Sequence, residues 1–395
     1  MARGLRRRRE RARIDLLLMA VVIALLLYGL LMLYSATFYV GTYFWRQQLL
    51  WVAVGLLMMV AAAFIPYRLW QGLATPMMGV MLFLLFIVLL MGERVFGAQR
   101  SLFGASVQPG ILARLVAVIY IAAWLASKGE RLNEVSYGLV PFSVIVGVVS
   151  GLIALQPDLS TALLLIVAGL AMFFFAGGDP MQIFLSIVIG GGSFALLAWQ
   201  LPHARQRLVD YLTALKDPSQ MPYHVHRAVM ALGEGGLFGV GIGNGRLKAG
   251  YLPFPHTDSI FAVIGEELGL VGALLVIAFF AFFAYRGYRV ALQTTEPFGS
   301  LLAFGVTTMI VVEALLNVMV MVSLIPFTGT ALPFFSYGGS EMVMTLGGVG
   351  LLLAVSRGRA GDPSLGDLHG LLDRLRRYRG TRLSRVGRRR RTAAH

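Results

Sequence analysis

Long apolar stretches recur along the chain, and each is close to the length that a helix needs to cross a lipid bilayer. The hydrocarbon core of a membrane takes about 20 residues of α-helix. Ten stretches meet that requirement: 14–36, 47–65, 72–92, 110–127, 139–155, 160–176, 181–199, 259–285, 299–324 and 338–356. We therefore predict an all-α polytopic membrane protein with about ten transmembrane helices and a long extracytoplasmic segment, 200–258, between the seventh and the eighth.

The composition excludes two other classes of protein. Charged residues make up 13% of the chain and hydrophobic residues 57%. A soluble domain carries about 25% charged residues, and a disordered chain has low hydrophobicity. The absence of cysteine excludes disulfides, thiolate nucleophiles and cysteine-ligated metals. No cleavable signal peptide is evident in the sequence, so we expect the first span to be retained.

The net charge of +15 is confined to the two ends of the chain. Residues 1–13 hold seven Arg and one Glu, and residues 357–395 hold twelve Arg and three Asp, so residues 14–356 are electrically balanced. Nucleic-acid binding requires a basic surface on a folded domain, so we predict no nucleic-acid partner. Arginine clusters beside membrane spans mark the cytoplasmic side and attract anionic lipid. We predict a cytoplasmic (inner) membrane protein with a transmembrane domain at 14–356 and basic cytoplasmic tails at 1–13 and 357–395.

Four segments with polar side chains and turn-forming residues fall on the opposite, outer side under this topology. They are 92–109, 156–161, 200–258 and 326–340. Irregular backbone near membrane depth survives only where protein buries it or where it lines a water-filled cavity. We therefore predict one outward-facing cavity or groove formed by these segments.

Asp258 is the leading candidate for chemistry, because it stands at the outer mouth of the eighth span. A carboxylate between water and a low-dielectric interior has its charged form disfavoured, which suits a general base. Aspartate is also a common N-cap residue. The position of Asp258 in the sequence alone favours the N-cap role over the role of general base, and one residue can fill both.

Several charged residues lie well inside the predicted spans: Arg114, Glu266, Glu267, Glu313 and Glu341. Such residues are costly in a membrane and usually face protein or water. A proton or ion path is one interpretation of the glutamates, and a buried pair hydrogen-bonded to a neighbouring helix is the other. The Arg114 guanidinium suits either a carboxylate or a phosphate.

Two further patterns argue against common cofactor sites. The glycine run at 239–245 lacks the strand–turn–helix context of a dinucleotide site, so we interpret it as flexible backbone against a helix or a substrate. His224 and His226 have no third ligand at zinc-site spacing. No organic cofactor is predicted. A divalent cation such as Mg²⁺, held by one or two carboxylates and substrate phosphates, is the cofactor that the sequence leaves open.

Three motifs, in this order, resemble the SEDS family (shape, elongation, division and sporulation), which includes FtsW, RodA and SpoVE. They are Gln-Pro-Asp-Leu-Ser-Thr at 156–161, Tyr-Leu-Pro-Phe-Pro-His-Thr-Asp-Ser-Ile-Phe-Ala-Val-Ile-Gly-Glu-Glu-Leu-Gly at 251–269, and Leu-Pro-Phe-Phe-Ser-Tyr-Gly-Gly-Ser at 332–340. Leu-Tyr-Ser-Ala at 33–36 and Phe-Trp-Arg-Gln-Gln at 44–48 match as well. The run at 237–243, followed by Lys248, resembles the FtsW branch more than RodA.

This resemblance implies a ten-span peptidoglycan glycosyltransferase that acts during cell division or elongation. Such enzymes polymerise lipid II, the undecaprenyl-pyrophosphate-linked disaccharide-peptide, on the outer face of the cytoplasmic membrane, usually with a class B penicillin-binding protein. The family's essential acid maps onto Asp258. The resemblance therefore favours a catalytic base, acting on the acceptor's 4-hydroxyl, over a simple cap.

The resemblance also leads to a set of substrate-binding candidates: Arg114, Lys248, His256, Asp158, Arg100 and Ser340. Arg114 and Lys248, with Arg100, Arg205 or Arg246, are expected to neutralise the pyrophosphate. Relatives commonly carry glutamate where this chain has Ile111. We expect Glu341 or Glu234 to supply the missing acid.

Two other functions stay open at this stage. Ionisable residues inside spans are typical of carriers, so a lipid-linked precursor flippase or an ion-coupled transporter is the first alternative. A non-catalytic scaffold that recruits division partners through its arginine-rich tails is the second.

Overall fold

The computed structural model describes residues 15–91, 93–95, 98–101 and 108–358. Residues 14–356 form one compact unit, and residues 1–13 with 357–395 are assigned to a second. Apart from the last two residues of the final helix, the predicted tails lie outside the described residues, and their assignment stays a prediction.

The described residues form twelve α-helices: α1 Leu16–Thr37, α2 Tyr43–Phe64, α3 Tyr67–Met91, α4 Pro109–Lys128, α5 Leu139–Leu155, α6 Leu159–Phe175, α7 Pro180–Gln200, α8 Pro202–Lys216, α9 Tyr223–Gly235, α10 Ile260–Gln293, α11 Pro297–Met321 and α12 Gly339–Gly358. Two 3₁₀ helices, Gly129–Asn133 and Pro218–Gln220, and two strands, β1 Glu93–Val95 and β2 Ala98–Ser101, accompany them.

Ten of these helices correspond to the ten predicted spans. Helices α1–α4, α7 and α10–α12 are long and apolar enough to cross a membrane, and α5 and α6 are apolar helices of 17 residues each. The largest difference between a predicted span and its helix is at α10, which continues to Gln293. The apolar stretch ends before Arg286, but the helix does not end there. The prediction of an all-helical polytopic membrane protein is confirmed. The sequence did not predict the antiparallel pair β1–β2 in the polar link between α3 and α4. In this pair, backbone N–H and C=O groups of the link hydrogen-bond to one another.

The centre of the body is formed by α4, α11 and α12, whereas α7 lies mostly exposed at the edge. Helices in a membrane pack closely where small residues let their backbones approach. A Cβ on Gly350 of α12 would clash with the backbone of Met59 in α2, and one on Gly348 would stand 3.2 Å from the Val306 side chain of α11. The candidate site is built at one end of this closely packed centre.

Two buried polar clusters on α1 and α10 mark the two faces of the membrane domain. Asp15 pairs with Arg286 at 2.6 Å near one end of these helices, and Ser35 bonds Glu267 near the other. At 1.5 Å per residue, Asp15 and Ser35 are about 30 Å apart along α1, which matches the hydrocarbon thickness of a bilayer. We call the Ser35 end the Asp258 face and the Asp15 end the opposite face.

The helix α10 is broken at Gly269, where φ is 65° and ψ is −162°. The segment after α9 fills the break: Val240 N–H donates to the Glu266 carbonyl over 3.0 Å, and Leu270 N–H donates to the Gly236 carbonyl over 2.9 Å. A Cβ on Gly239 (φ 78°) would clash with the Glu267 backbone. The glycine run therefore packs against a helix, as one of the two sequence-based interpretations predicts.

Candidate active site

Asp258 lies in the irregular segment that leads into α10. Phe254 in this segment has a φ of 52°, and the Ser259 hydroxyl donates to the Pro253 carbonyl over 2.9 Å. Ser259 occupies the N-cap position of α10, so Asp258 stands one residue before the cap. Its side chain is half-buried, which leaves part of the carboxylate at the surface of the Asp258 face.

The link between α11 and α12, residues 322–338, passes directly over Asp258, and we call it the site loop. Asp258 Oδ2 lies 3.2 Å from the point where a Cβ on Gly329 would stand. Gly329 has a φ of 68°, a conformation that glycine adopts without steric cost. Glycine at this position therefore lets the loop backbone approach the carboxylate.

The site loop also meets Asp158, at the start of α6. The Ser160 hydroxyl lies 3.2 Å from both the Thr328 carbonyl oxygen and Asp158 Oδ1. Asp158 caps α6 by accepting from Thr161 N–H over 3.2 Å. Asp158 Oδ2 is 3.9 Å from the Cβ position of Gly110, so this carboxylate also lies beside the start of α4. A short chain of contacts thus joins the two aspartates through the site loop.

Arg114 of α4 is 4% exposed and binds two carboxylates. One guanidinium nitrogen, Nη1, pairs with Glu313 of α11. The other, Nη2, donates to both oxygens of Glu341 in α12, at 2.6 and 2.5 Å. Of the two kinds of ligand that suit the guanidinium, the structure shows carboxylates. Ser340, next to Glu341, accepts a hydrogen bond from Gln108 N–H over 3.4 Å, which brings this predicted residue to the start of α4.

Lys248 is also 4% exposed, and its ammonium is engaged by the protein. Its Nζ donates to the Ser35 hydroxyl over 2.9 Å and pairs with Glu267. The adjacent Glu266 Oε1 accepts from the N–H groups of Arg246 and Leu247, at 2.5 and 3.0 Å. Both glutamates are thus buried and hydrogen-bonded. Glu267 bonds a neighbouring helix through Ser35, as one interpretation predicts, whereas Glu266 bonds the backbone of the segment before Lys248.

His256 packs its ring against Phe44, with centroids 4.4 Å apart, and against Tyr337 at 6.0 Å. Burial lowers the pKa of His256 below its ordinary 6.5. The imidazole is therefore neutral at physiological pH and can offer one donor and one acceptor.

This lowered pKa predicts a loss of stability in acid. As pH falls through about 6.5, the histidine of the unfolded chain takes up a proton first, so acid favours unfolding. We expect the thermal midpoint to fall between about pH 7.5 and about pH 5.5, and to fall less in His256→Phe, which keeps the ring packing but cannot titrate. Thermal unfolding of both proteins in the same detergent checks this, and equal shifts would contradict it.

Two side chains from the long segment pack on the site loop at Phe327. The His224 ring of α9 lies 4.3 Å from the Phe327 ring, centroid to centroid. The Arg207 guanidinium of α8 lies 5.6 Å from the same ring and donates to the Thr328 carbonyl over 3.4 Å. Burial, and secondarily Arg207, lowers the pKa of His224. Arg207 is therefore an exposed cation attached to the loop that lies beside Asp258 and, through Ser160, is joined to Asp158.

The structure brings most of the predicted site residues to one face. Asp258, Asp158, His256 and Ser340 lie along the site loop or contact it, with Arg114 at its α12 end. Lys248 is set apart by its pairing with Glu267. The backbone of Arg100 lies in β2, and its side chain lies outside the described residues.

Three residues that bond the Asp258 segment or the site loop are missing from the sequence-based candidates: Asn317, Ser336 and Gln48. Gln48 and Asn317 are polar residues inside apolar spans, which is a signal of function. Arg207, by contrast, stands among several basic residues of the long segment, and its sequence position alone did not distinguish it.

Within the described ranges, no group of three or more His, Cys, Asp or Glu side chains is arranged to hold a metal ion. The protein's own side chains therefore do not fit a complete cation site there. A divalent cation such as Mg²⁺, held in part by substrate phosphates, stays the cofactor that the sequence leaves open.

Comparison with known proteins gives close matches along the whole membrane domain. The family model for FtsW, RodA and SpoVE, described as a cell cycle protein, matches residues 15–360. A protein of Geobacter metallireducens named "Probable peptidoglycan glycosyltransferase FtsW" is 36% identical over 366 residues, covering 90% of this chain and 98% of that protein. Stage V sporulation protein E of Bacillus subtilis is 35% identical over 354 residues, covering 87% and 97%.

Solved structures give the same result. A chain from a study of how a peptidoglycan synthase complex coordinates polymerization and crosslinking superposes with a TM-score of 0.73 at 28% identity, covering 88% of this chain and 99% of that one. The rod shape determining protein RodA of Thermus thermophilus superposes with a TM-score of 0.67 at 27% identity, covering 88% and 98%. The chain belongs to the FtsW, RodA and SpoVE family, the SEDS proteins, as its motifs predict.

Proposed function

We propose that this chain is a peptidoglycan glycosyltransferase that polymerises lipid II on the outer face of the cytoplasmic membrane. The observation that carries the proposal is the placement of Asp258, a half-buried carboxylate beside Gly329 of the site loop in a SEDS-family chain. A similar FtsW protein bears this activity in its name. A class B penicillin-binding protein is the proposed partner, because a similar chain comes from a peptidoglycan synthase complex.

The distribution of charge supports the proposed orientation. Arg68, Lys128, Arg286 and Arg289 lie toward the opposite face, at the ends of α3, α4 and α10. In the sequence, the arginine-rich ends come before α1 and after α12. Positive side chains accumulate on the cytoplasmic side of membrane proteins. The Asp258 face is then the outer face, and both termini are cytoplasmic, where the basic tails meet anionic lipid.

In the proposed reaction, Asp258 takes the proton of the acceptor sugar's 4-hydroxyl as that oxygen bonds to the anomeric carbon of the donor. The bond from the anomeric carbon to the pyrophosphate oxygen breaks, and lipid pyrophosphate leaves with the bonding electrons. A carboxylate partly withdrawn from water is a stronger base than an exposed one, because its charged form is less well solvated.

The departing pyrophosphate requires positive charge, and Arg114 is its proposed ligand. Glu341 is the more accessible of the two carboxylates on Arg114, with a side chain 12% exposed against 4% for Glu313. In this proposal a phosphate oxygen reaches the guanidinium from the more open Glu341 side, while Glu313 and Glu341 keep the guanidinium in place. Arg207, attached to the site loop, is the second proposed cation. Lys248 is assigned a structural role, because its ammonium is buried against Glu267.

Glu341 is the proposed replacement for the acid that relatives carry at position 111. Ile111 is one turn before Arg114 on α4, so a glutamate there would reach the guanidinium. We expect Glu341→Ser to lower lipid II polymerisation about tenfold, as for the loss of one charged hydrogen bond. Adding Ile111→Glu is expected to recover most of that loss.

The polymerisation rates of the two single variants and the double variant measure this compensation. Ile111→Glu alone is not expected to raise the rate, because it places a third carboxylate on one guanidinium. A double variant no faster than Glu341→Ser would contradict the replacement.

A lipid II polymerisation gel tests the proposed function against the two alternatives. The full chain, co-purified with a class B penicillin-binding protein, is expected to give a ladder of glycan strands. A flippase would instead move lipid II across sealed liposomes, unaffected by Asp258→Ala, and a scaffold would do neither. The glutamates that suggest a carrier each bind a neighbouring group: Glu266, Glu267, Glu313 and Glu341.

A further inference from the structure

Three consecutive carbonyl oxygens, those of His256, Thr257 and Asp258, each accept a hydrogen bond from a different donor. Tyr337 N–H donates to the His256 oxygen over 2.7 Å. The Ser336 hydroxyl donates to the Thr257 oxygen over 2.7 Å. Asn317 Nδ2 donates to the Asp258 oxygen over 2.9 Å. The backbone on which the Asp258 side chain stands is therefore fixed from outside its own segment.

The two side-chain donors have their orientation set by further bonds. The Ser336 hydroxyl accepts from Leu332 N–H over 2.7 Å, which directs its own hydrogen toward Thr257. Asn317 Nδ2 uses its second hydrogen on the Thr330 carbonyl, over 2.7 Å. One amide of α11 thus joins the Asp258 segment to the site loop, and that loop also places Gly329 against the Asp258 carboxylate.

Gln48 of α2 holds the same loop from behind. Its Nε2 donates to the Ser336 carbonyl over 3.1 Å, and its Oε1 accepts from Gly338 N–H over 3.2 Å. Gln48 and Asn317 are each 1% exposed and Ser336 is 3% exposed. Hydrogen bonds in such a dry interior are electrostatically stronger than in water.

The segment's own hydrogen bonds are those of turns, such as Thr257 N–H to the Phe254 carbonyl over 3.1 Å. Residues 253–259 belong neither to a helix nor to a strand, and Phe254 holds a left-handed φ of 52° that costs free energy. A general base must be held within about 0.5 Å of its productive position. Asn317 Oδ1 has no partner among the described residues, so the donor half of this amide is the half that the fold uses.

We propose that Asn317 and Ser336 are positioning residues that fix the Asp258 backbone, and through it the base, for glycosyl transfer. This inference rests on the proposed function. Loss of either donor lets the segment move while leaving Asp258, Arg114 and Arg207 present. We therefore expect kcat to fall far more than the affinity for lipid II, because a base misplaced by about 1 Å costs about 100-fold in rate.

The test uses the full chain in the lipid II assay with paired variants. Ser336→Ala removes the donor and Ser336→Thr keeps a hydroxyl; Asn317→Leu removes the amide, and Asn317→Asp replaces the donor by a carboxylate facing two carbonyls. We expect Ser336→Ala, Asn317→Leu and Asn317→Asp to lower kcat by about 10- to 100-fold, with KM changed less than about threefold. Ser336→Thr is expected to restore most of the rate.

Thr307→Val is the matched control, because the buried Thr307 hydroxyl of α11 donates to the Ala303 carbonyl of its own helix over 2.7 Å. The control is expected to keep its kcat. Folded variants of Ser336 and Asn317 with normal kcat would overturn the inference, as would losses that Ser336→Thr does not relieve. Asp258→Ala in the same assay separates the proposed base from the proposed positioning role. If Asp258→Ala polymerises lipid II normally, the proposed base is wrong. If Asp258→Ala is inactive while the Ser336 and Asn317 variants are active, only the positioning role is rejected.

Discussion

Replacing Arg114 with methionine is expected to remove most of the folded protein, with a loss of about 3–5 kcal/mol of stability. Arg114 is the shared partner of Glu313 and Glu341 in the centre of the membrane domain. Without the guanidinium, two carboxylates are left close together in a low-dielectric environment. The yield of monodisperse protein and its thermal midpoint in detergent measure this loss.

Neutralising the whole cluster separates the structural role of Arg114 from its proposed role in binding phosphate. We expect the triple variant Arg114→Met, Glu313→Leu and Glu341→Leu to recover the fold, because replacing a buried ion cluster by well-packed hydrophobic residues of similar volume is often neutral or stabilising. The recovered protein is expected to stay inactive on lipid II, since the pyrophosphate has lost its ligand.

A matched control for the stability loss is Arg68→Met on the opposite face. Arg68 pairs with Glu296 at 3.2 Å, but the side chains are 47% and 26% exposed. An exposed pair of this kind contributes less than about 1 kcal/mol. A wild-type midpoint for Arg114→Met, or an equal loss in the two arginine variants, would contradict the account of the buried cluster.

Replacing Asp258 with asparagine is expected to lower lipid II polymerisation by about 10²- to 10⁴-fold, the usual contribution of a general base. Asparagine has nearly the same shape and can keep the packing beside Gly329, but its amide cannot accept the proton of the acceptor hydroxyl. Initial rates of glycan formation, measured at equal amounts of folded protein, give the effect.

The control for this variant is Asp179→Asn at the start of α7. Asp179, like Asp258, stands just before a transmembrane helix. It is the N-cap of α7, and its Oδ1 accepts a hydrogen bond from Met181 N–H over 2.9 Å. Its replacement is expected to lower the stability by about 1 kcal/mol or less, as for other N-caps. The rate of lipid II polymerisation is expected to stay unchanged. Equal activity of the Asp258 and Asp179 variants would reject the base.

The membrane topology could be predicted because its physical cause is local. A span is a stretch of apolar residues long enough to cross the hydrocarbon core, so the ends of α5 at 139 and 155 follow from the sequence directly. The structure of the long segment 200–258 is harder to predict from the sequence, because α8 and α9 are short. In addition, the glycine run takes its conformation from hydrogen bonds to the broken helix α10 rather than from its own residues.

The site could be predicted as a set of residues but not as a set of contacts. Arg114 meets partners 199 and 227 residues away in the sequence, and no local pattern indicates such pairings. Lys248 has the charge of a phosphate ligand, yet its nearest acid, Glu267, already neutralises it. Asn317 and Ser336 carry no charge, so only the folded backbone shows that they bond the Asp258 segment.

The central claim is that Asp258 removes the proton from the acceptor hydroxyl, and single-turnover glycan bond formation by Asp258→Asn tests it most directly. The full chain is loaded with labelled lipid II, bound substrate is quantified first, and the first glycosidic bond is then followed over time. The account predicts lipid II binding close to that of the unmodified chain and bond formation slowed by about 10²-fold or more. Bond formation at the unmodified rate, with the same bound substrate, would contradict it.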